Sequence, residues 1–166
     1  MIRTVIAAVD GSEPSTRAVR MAADIAAKYD AELLLVHVLH WRRVPEPLRR
    51  LAEIEHLVEP ETRRTVPLTY IELPPEPTED MRILAALGEF WLNEAELTAR
   101  GRGAVKVKKV PVEGRPAEAL IREAERRGAD LLACGTRGHG ELAALLLGSV
   151  AHELLQLAPC PVLAVK

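Results

Sequence analysis

The chain has 166 residues, 48% of them apolar, a formal net charge of -2 and only 3% aromatic residues. That length suits one domain with an aliphatic core. The near-neutral charge and the scarcity of rings exclude the basic face and the stacking platforms of a nucleic-acid binder.

Five apolar runs read as strands, at 3–9, 32–39, 104–110, 130–134 and 161–165. Most are nearly continuous in apolar residues, the mark of parallel strands covered on both faces. Helical periodicity fills the gaps between them. The first helix is expected at 14–28, with Ala18, Ala22, Ile25 and Ala26 on one face, Ser12 as cap and Pro14 in the first turn. The second is expected at 80–99, with Leu84, Leu87, Trp91 and Ala95 inward. The third, at 116–127, opens at Pro116 and closes at Gly128, with a stripe of Ala117, Leu120, Ile121 and Ala124. The fourth, at 148–157, turns Val150, Ala151, Leu154 and Leu155 inward. Alternating strands and helices imply right-handed βαβ units and an open, doubly wound α/β sheet in a single domain.

Residues 41–80 stand apart. Seven of the twelve prolines lie there, among dense charge, with a short helix expected within 49–58. Pro74-Pro75-Glu76-Pro77 favours extended backbone. The segment reads as a mobile surface insertion, the alternative being an ordered lid or partner-binding arm. No apolar run approaches the roughly 20 residues of a membrane span. Met1–Val5 reads as the start of a strand rather than a signal peptide. A cytoplasmic location, away from membranes, is expected.

The densest chemical signal is Gly135-Thr136-Arg137-Gly138 followed by Gly148-Ser149, a G-x2-G-x9-G-S pattern between a strand and a helix. Glycines there allow φ above zero and close main-chain approach to a ligand. A helix N-terminus at Gly148-Ser149 favours an anion. Strand, glycine loop and helix start are the parts of a phosphate cradle. The pattern is neither a Walker loop nor the dinucleotide G-x-G-x-x-G.

This loop, the opening Val5-Ile6-Ala7-Ala8-Val9-Asp10-Gly11-Ser12 and the closing Ala158-Pro159-Cys160-Pro161-Val162-Leu163-Ala164-Val165 resemble the ATP-binding branch of the universal stress protein family. The resemblance covers 1–40 and 81–166. It implies a Rossmann-like five-stranded sheet in the order 3-2-1-4-5, with a ligand crevice where the first and third strands diverge. It implies ATP, with Mg²⁺ or Mn²⁺ carried by the phosphates. Adenosine would lie near Ala8, Asp10 and Val38, and phosphates on Gly135, Gly138, Gly148 and Ser149. Cys134 and Val150 complete the implied site. Arg137 either approaches the phosphates or is solvated, and His139 serves loop structure or lies near the ligand. The resemblance also implies a homodimer through the last strand. A protein partner is open.

No nucleophile elbow is present, and His37, His40, His56 and His152 show no metal spacing. Lys106, Lys108 and Lys109 read as a solvated strand face. Cys134 and Cys160 fall at opposite ends of neighbouring strands, which makes them structural thiols. The combined reading is a nucleotide-dependent regulator or sensor in stress response. The alternatives are a slow ATP hydrolase or autophosphorylating enzyme, and a nucleotide-free interaction module.

Overall fold

The computed structural model describes residues 1–58, 77–138 and 147–166. The elements run β1 Thr4–Ala8, α1 Glu13–Tyr29, β2 Glu32–Leu39, α2 Glu46–Ile54, α3 Glu79–Gly101, β3 Val107–Glu113, α4 Pro116–Arg127, β4 Leu131–Gly135, α5 Ser149–Leu157 and β5 Val162–Val165. The strands form one parallel sheet in the order β3-β2-β1-β4-β5.

The two-residue period of the strands divides the core. Val5 and Ala7 of β1, with Leu33 and Leu35 of β2, face α1 and α3. Ile6 of β1, Leu34 and Val36 of β2 and Leu132 of β4 face α4 and α5. Both faces of β1 are sealed, so Val5, Ile6 and Ala7 have no exposed surface. An apolar run without polar alternation is what such a strand requires.

Helix ends follow their capping chemistry. The Ser12 hydroxyl accepts the Ser15 amide at the start of α1, and Gly128 closes α4 at φ 58. The α4 bounds agree with expectation. The helix expected at 49–58 begins earlier, at Glu46, because Pro47 suits a first turn. It buries Leu48 and Ala52. The remainder of the proline-rich segment, 59–76, lies outside the described residues, as does His139.

Four expectations need correction. The third strand lies at 107–113 rather than 104–110. Residues 102–104 are used in closing α3, where Gly103 takes φ 88 and the Ala104 amide reaches back to the Ala99 carbonyl. Pro111 falls inside that strand, opposite His37, which an edge strand tolerates. The neighbour of β1 across the switch point is β4, not β3. Leu155 is 49% exposed, because α5 buries Ala151 and Leu154. The three lysines are not simply solvated: Lys106 pairs with Asp30, Lys108 with Glu32 and Lys109 with Glu96.

Cys134 and Cys160 are both free thiols. The register places Cys134 beside Ala164 at one end of β5, with Cys160 before its other end.

Asp130 ties the start of β1 to β4. Its carboxylate accepts the Arg3 and Thr4 amides at 2.7 and 3.0 Å. These backbone donors hold its carboxyl below the ordinary value of 3.8. A carboxyl lowered in the folded state stabilises above that ordinary value, and the contribution is lost as pH falls through the lowered one. Asp130→Ala is therefore expected to be less stable than the parent near neutral pH and to converge with it in acid. Urea denaturation across a pH series checks this, and a gap that persists in acid contradicts it.

Candidate functional site

The chain leaves β1 through Val9, whose amide still reaches the Val36 carbonyl at 2.8 Å. It then turns sharply through Asp10, Gly11 and Ser12 into α1. Asp10 Oδ1 accepts both the Ser12 amide at 2.9 Å and the Ser12 hydroxyl at 2.6 Å. That hydroxyl also lies 3.2 Å from the Arg137 carbonyl. With one proton to give, it serves the shorter, charge-assisted bond to Asp10. Ser15 completes the turn: its hydroxyl donates to the Ala8 carbonyl at 2.9 Å and accepts the Asp10 amide at 3.2 Å.

The glycine loop rises from the end of β4 beside this turn. The Thr136 amide donates to the Val165 carbonyl, and the Thr136 carbonyl receives the Gly148 amide, both at 2.7 Å. The second bond joins the two halves of the G-x2-G-x9-G-S pattern. Gly148 is the N-cap of α5 and Ser149 its first residue, with no side-chain cap among the described residues. The first turn of α5 carries no acidic residue, whereas those of α1, α2, α3 and α4 each carry at least one. Its N-terminal amides and dipole favour an anion.

The glycines act through close approach rather than through unusual dihedrals. Among the described residues the glycines with positive φ are Gly11, Gly103, Gly114 and Gly128, so Gly135, Gly138 and Gly148 do not use the left-handed region expected of them. A Cβ on Gly135 would lie 2.7 Å from the Ser15 amide nitrogen and 2.9 Å from the Pro14 carbonyl carbon. One on Gly138 would lie 2.6 Å from Asp10 Oδ2. One on Gly148 would meet the Thr136 carbonyl oxygen at 3.2 Å.

A cavity of about 620 Å³ opens over these elements, within the usual range for small-molecule sites. Ala8, Asp10, Val38, Cys134, Gly135, Arg137, Gly138, Gly148, Ser149 and Val150 all line it. Arg137, Gly138 and Ser149 are exposed at its mouth, while Cys134 is buried in its floor. Burial, and secondarily the charge of Asp10, push the Cys134 thiol from 9.0 up to about 11. It is a neutral wall group rather than a nucleophile. Among the described residues, no three His, Cys, Asp or Glu side chains gather to hold a metal.

Sequence reasoning missed several members of this region. Thr136 and Ser15, both buried, shape the loop and the turn through hydrogen bonds, and Pro116 and Leu120 of α4 close one wall. Trp91 was expected to face inward, but its reach to the β1–α1 turn had no local signal. A Cβ on Gly11 would sit 2.2 Å from its ring.

The whole chain, residues 1–166, matches the model of the Universal stress protein family. It is similar to universal stress protein YxiE of Bacillus subtilis, 30% identical over 170 residues and 100% of both chains. A universal stress protein of Thermus aquaticus is 32% identical over 166 residues, again 100% of both. Among solved structures, a universal stress protein in complex with cAMP superposes with TM-score 0.67 and 27% identity, covering 99% of this chain and 97% of that one. UspA from Lactobacillus plantarum shares the fold at TM-score 0.72 and 17% identity, covering 99% and 98%.

The glycine contacts order the effects of two substitutions. Gly135→Ala forces a methyl against backbone of the α1 first turn, an overpacking expected to cost about 1–3 kcal/mol. Gly138→Ala meets a carboxylate oxygen of Asp10 rather than backbone, on an exposed loop, and is expected to cost less than Gly135→Ala. Chemical denaturation of the two variants checks the order; equal losses would contradict it.

Proposed function

The chain belongs to the universal stress protein family, and we propose that it acts there as an ATP-binding regulator or sensor in stress response. The observation that carries this reading is the meeting of Asp10, the three loop glycines and the N-terminus of α5 on one cavity. Phosphates are assigned to the amides around Gly135, Gly138, Gly148 and Ser149, with Arg137 at the mouth. A carboxylate would repel phosphate but accepts hydroxyl protons well, so Asp10 is assigned to the ribose. Ala8, Val38, Cys134 and Val150 offer apolar surface to the base. The solved universal stress protein in complex with cAMP, 27% identical to this chain, supports an adenine nucleotide as the ligand.

A divalent ion, Mg²⁺ or Mn²⁺, would arrive on the phosphates. It would neutralise their charge, and Asp10 is the carboxylate among the described residues lining the cavity. The protein works in the cytoplasm, and its state is set by occupancy more than by turnover. Fast phosphoryl transfer needs an oriented nucleophile as well as charge stabilisation. The assigned residues supply charge stabilisation and leave no assigned base for water.

ATP is expected to bind with micromolar or tighter affinity. Gly138→Val, which drives a branched side chain toward Asp10 and the phosphate path, is expected to weaken it at least about tenfold in a folded protein. Calorimetry on both proteins decides this, with phosphate release followed in the same samples. Undiminished affinity in the variant removes the loop from the site. Release faster than about one per second that the variant loses makes the protein an enzyme instead.

We also propose a homodimer through β5. Val162, Leu163, Ala164 and Val165 are all only half-buried at the open edge of the sheet, and an apolar edge invites pairing. Light scattering is expected to give twice the chain mass; a monomer at high micromolar concentration overturns the proposal.

A further inference from the structure

The cavity does not end at the residues assigned to the nucleotide. It passes over the carboxyl ends of β1 and β2 and continues on the opposite face of the sheet, where His37, Leu48, Leu84 and Trp91 form its wall. Strand alternation separates the two halves. Ala8 and Val38 pack toward α4 and α5, while Val9 packs toward α1 and α3. His37, one residue from Val38, shares the side of Val9. The four wall residues keep 7, 5, 8 and 8% of their surface accessible, whereas Leu33, Leu35 and Leu87 in the same layer keep none. All four line the cavity.

The wall is apolar at Leu48, Leu84 and Trp91 and held in place, and His40 and Arg42 also line the cavity. His37 Nδ1 lies 2.8 Å from the Val9 carbonyl oxygen, which fixes it as the donor, and its ring meets Trp91 edge-on at 5.6 Å and 62°. Glycines seat both rings. A Cβ on Gly88 would lie 2.6 Å from His37 Cδ2, and the missing Cβ of Gly11 makes room for Trp91. Asp10 stands at the turn where the two halves meet. A second phosphate or carboxylate against Leu48, Leu84 and Trp91 would lose hydration, and only at Arg42 and His40 does this part of the lining offer it a cation or a donor. A neutral apolar group would gain by burial there.

We propose, building on the ATP-site reading above, that the crevice takes adenine nucleotides whose phosphate carries a neutral apolar group. These are alkyl, acyl or aryl adenylates, with that group in the chamber of His37, Leu48, Leu84 and Trp91. The phosphate cradle holds one end and the Trp91 chamber selects the other.

The test compares the methyl and octyl phosphodiesters of AMP, which carry the same charge and differ in alkyl length. Each fully buried methylene multiplies affinity about fourfold. The octyl ester is expected to bind at least about tenfold more tightly than the methyl ester. Leu84→Gln and Leu48→Gln, each checked for folding, are expected to remove that difference. ATP titrated alongside serves as the control. Trp41→Phe leaves Trp91 as the sole tryptophan of the chain's two, and the octyl ester alone is expected to shift its emission to the blue. ATP binding with equal affinities for the two esters overturns this inference and leaves the nucleotide reading standing. A length effect that survives both leucine variants, or no change in Trp91 emission, also overturns it. Failure of ATP and both esters to bind removes the two readings together.

Discussion

The end of β4 lies so close to the first turn of α1 that a single methyl on Gly135 would stand 2.7 Å from the Ser15 nitrogen. The site depends on that approach. It brings a loop from the fourth strand against a turn from the first, although more than a hundred residues separate them. The sheet makes the approach obligatory. β1 pairs with β4 from Val5 to Ala7, and β4 ends at Gly135, one residue beyond the level of Ala8. Two chain segments that leave neighbouring parallel strands must diverge there or collide, and glycine lets them come closest before they diverge.

Asp10 is the electrostatic centre of the resulting crevice. Two donors from Ser12 hold its Oδ1, and Gly138 leaves room beside its Oδ2. The carboxylate is thereby oriented by its own turn before any ligand arrives. Its charge also raises the Cys134 thiol, adding to the larger effect of burial. The N-terminus of α5, with no acidic residue in its first turn, supplies the opposite polarity across the cavity. A molecule with hydroxyls at one end and phosphate at the other matches that polarity, whereas a uniformly anionic one does not.

The two layers of the protein meet at this crevice. α4 and α5 contribute one wall through Pro116, Leu120 and Val150, while α2 and α3 contribute another through Leu48, Leu84 and Trp91. The contact of Trp91 with Gly11 joins α3 to the turn that carries Asp10. Arg49 of α2 is paired with Glu79 and Asp80 at the start of α3. These two helices therefore sit as a unit against the back of the site. Exposed ion pairs contribute little to stability by themselves, and the buried Leu48 and Ala52 contribute more to holding α2 in place.

The sequence by itself determined the elements and the candidate site residues that its patterns carry. Apolar runs marked five strands, caps and periodicity marked α1, α3, α4 and α5, and the spacing of Gly135, Gly138, Gly148 and Ser149 marked the loop. These signals are local: each depends on a few neighbouring side chains and on backbone preference. The strand order came from resemblance to a family, because no local signal says which strand pairs with which. Tertiary structure alone decided that Gly135 serves packing against α1, that β3 starts three residues late, and that Trp91 reaches Gly11 across the layer. It also decided that the cavity crosses to the far face of the sheet. Each of these follows from register and close approach between segments distant in the chain, and such distances are set by the packed sheet rather than by any residue's neighbours.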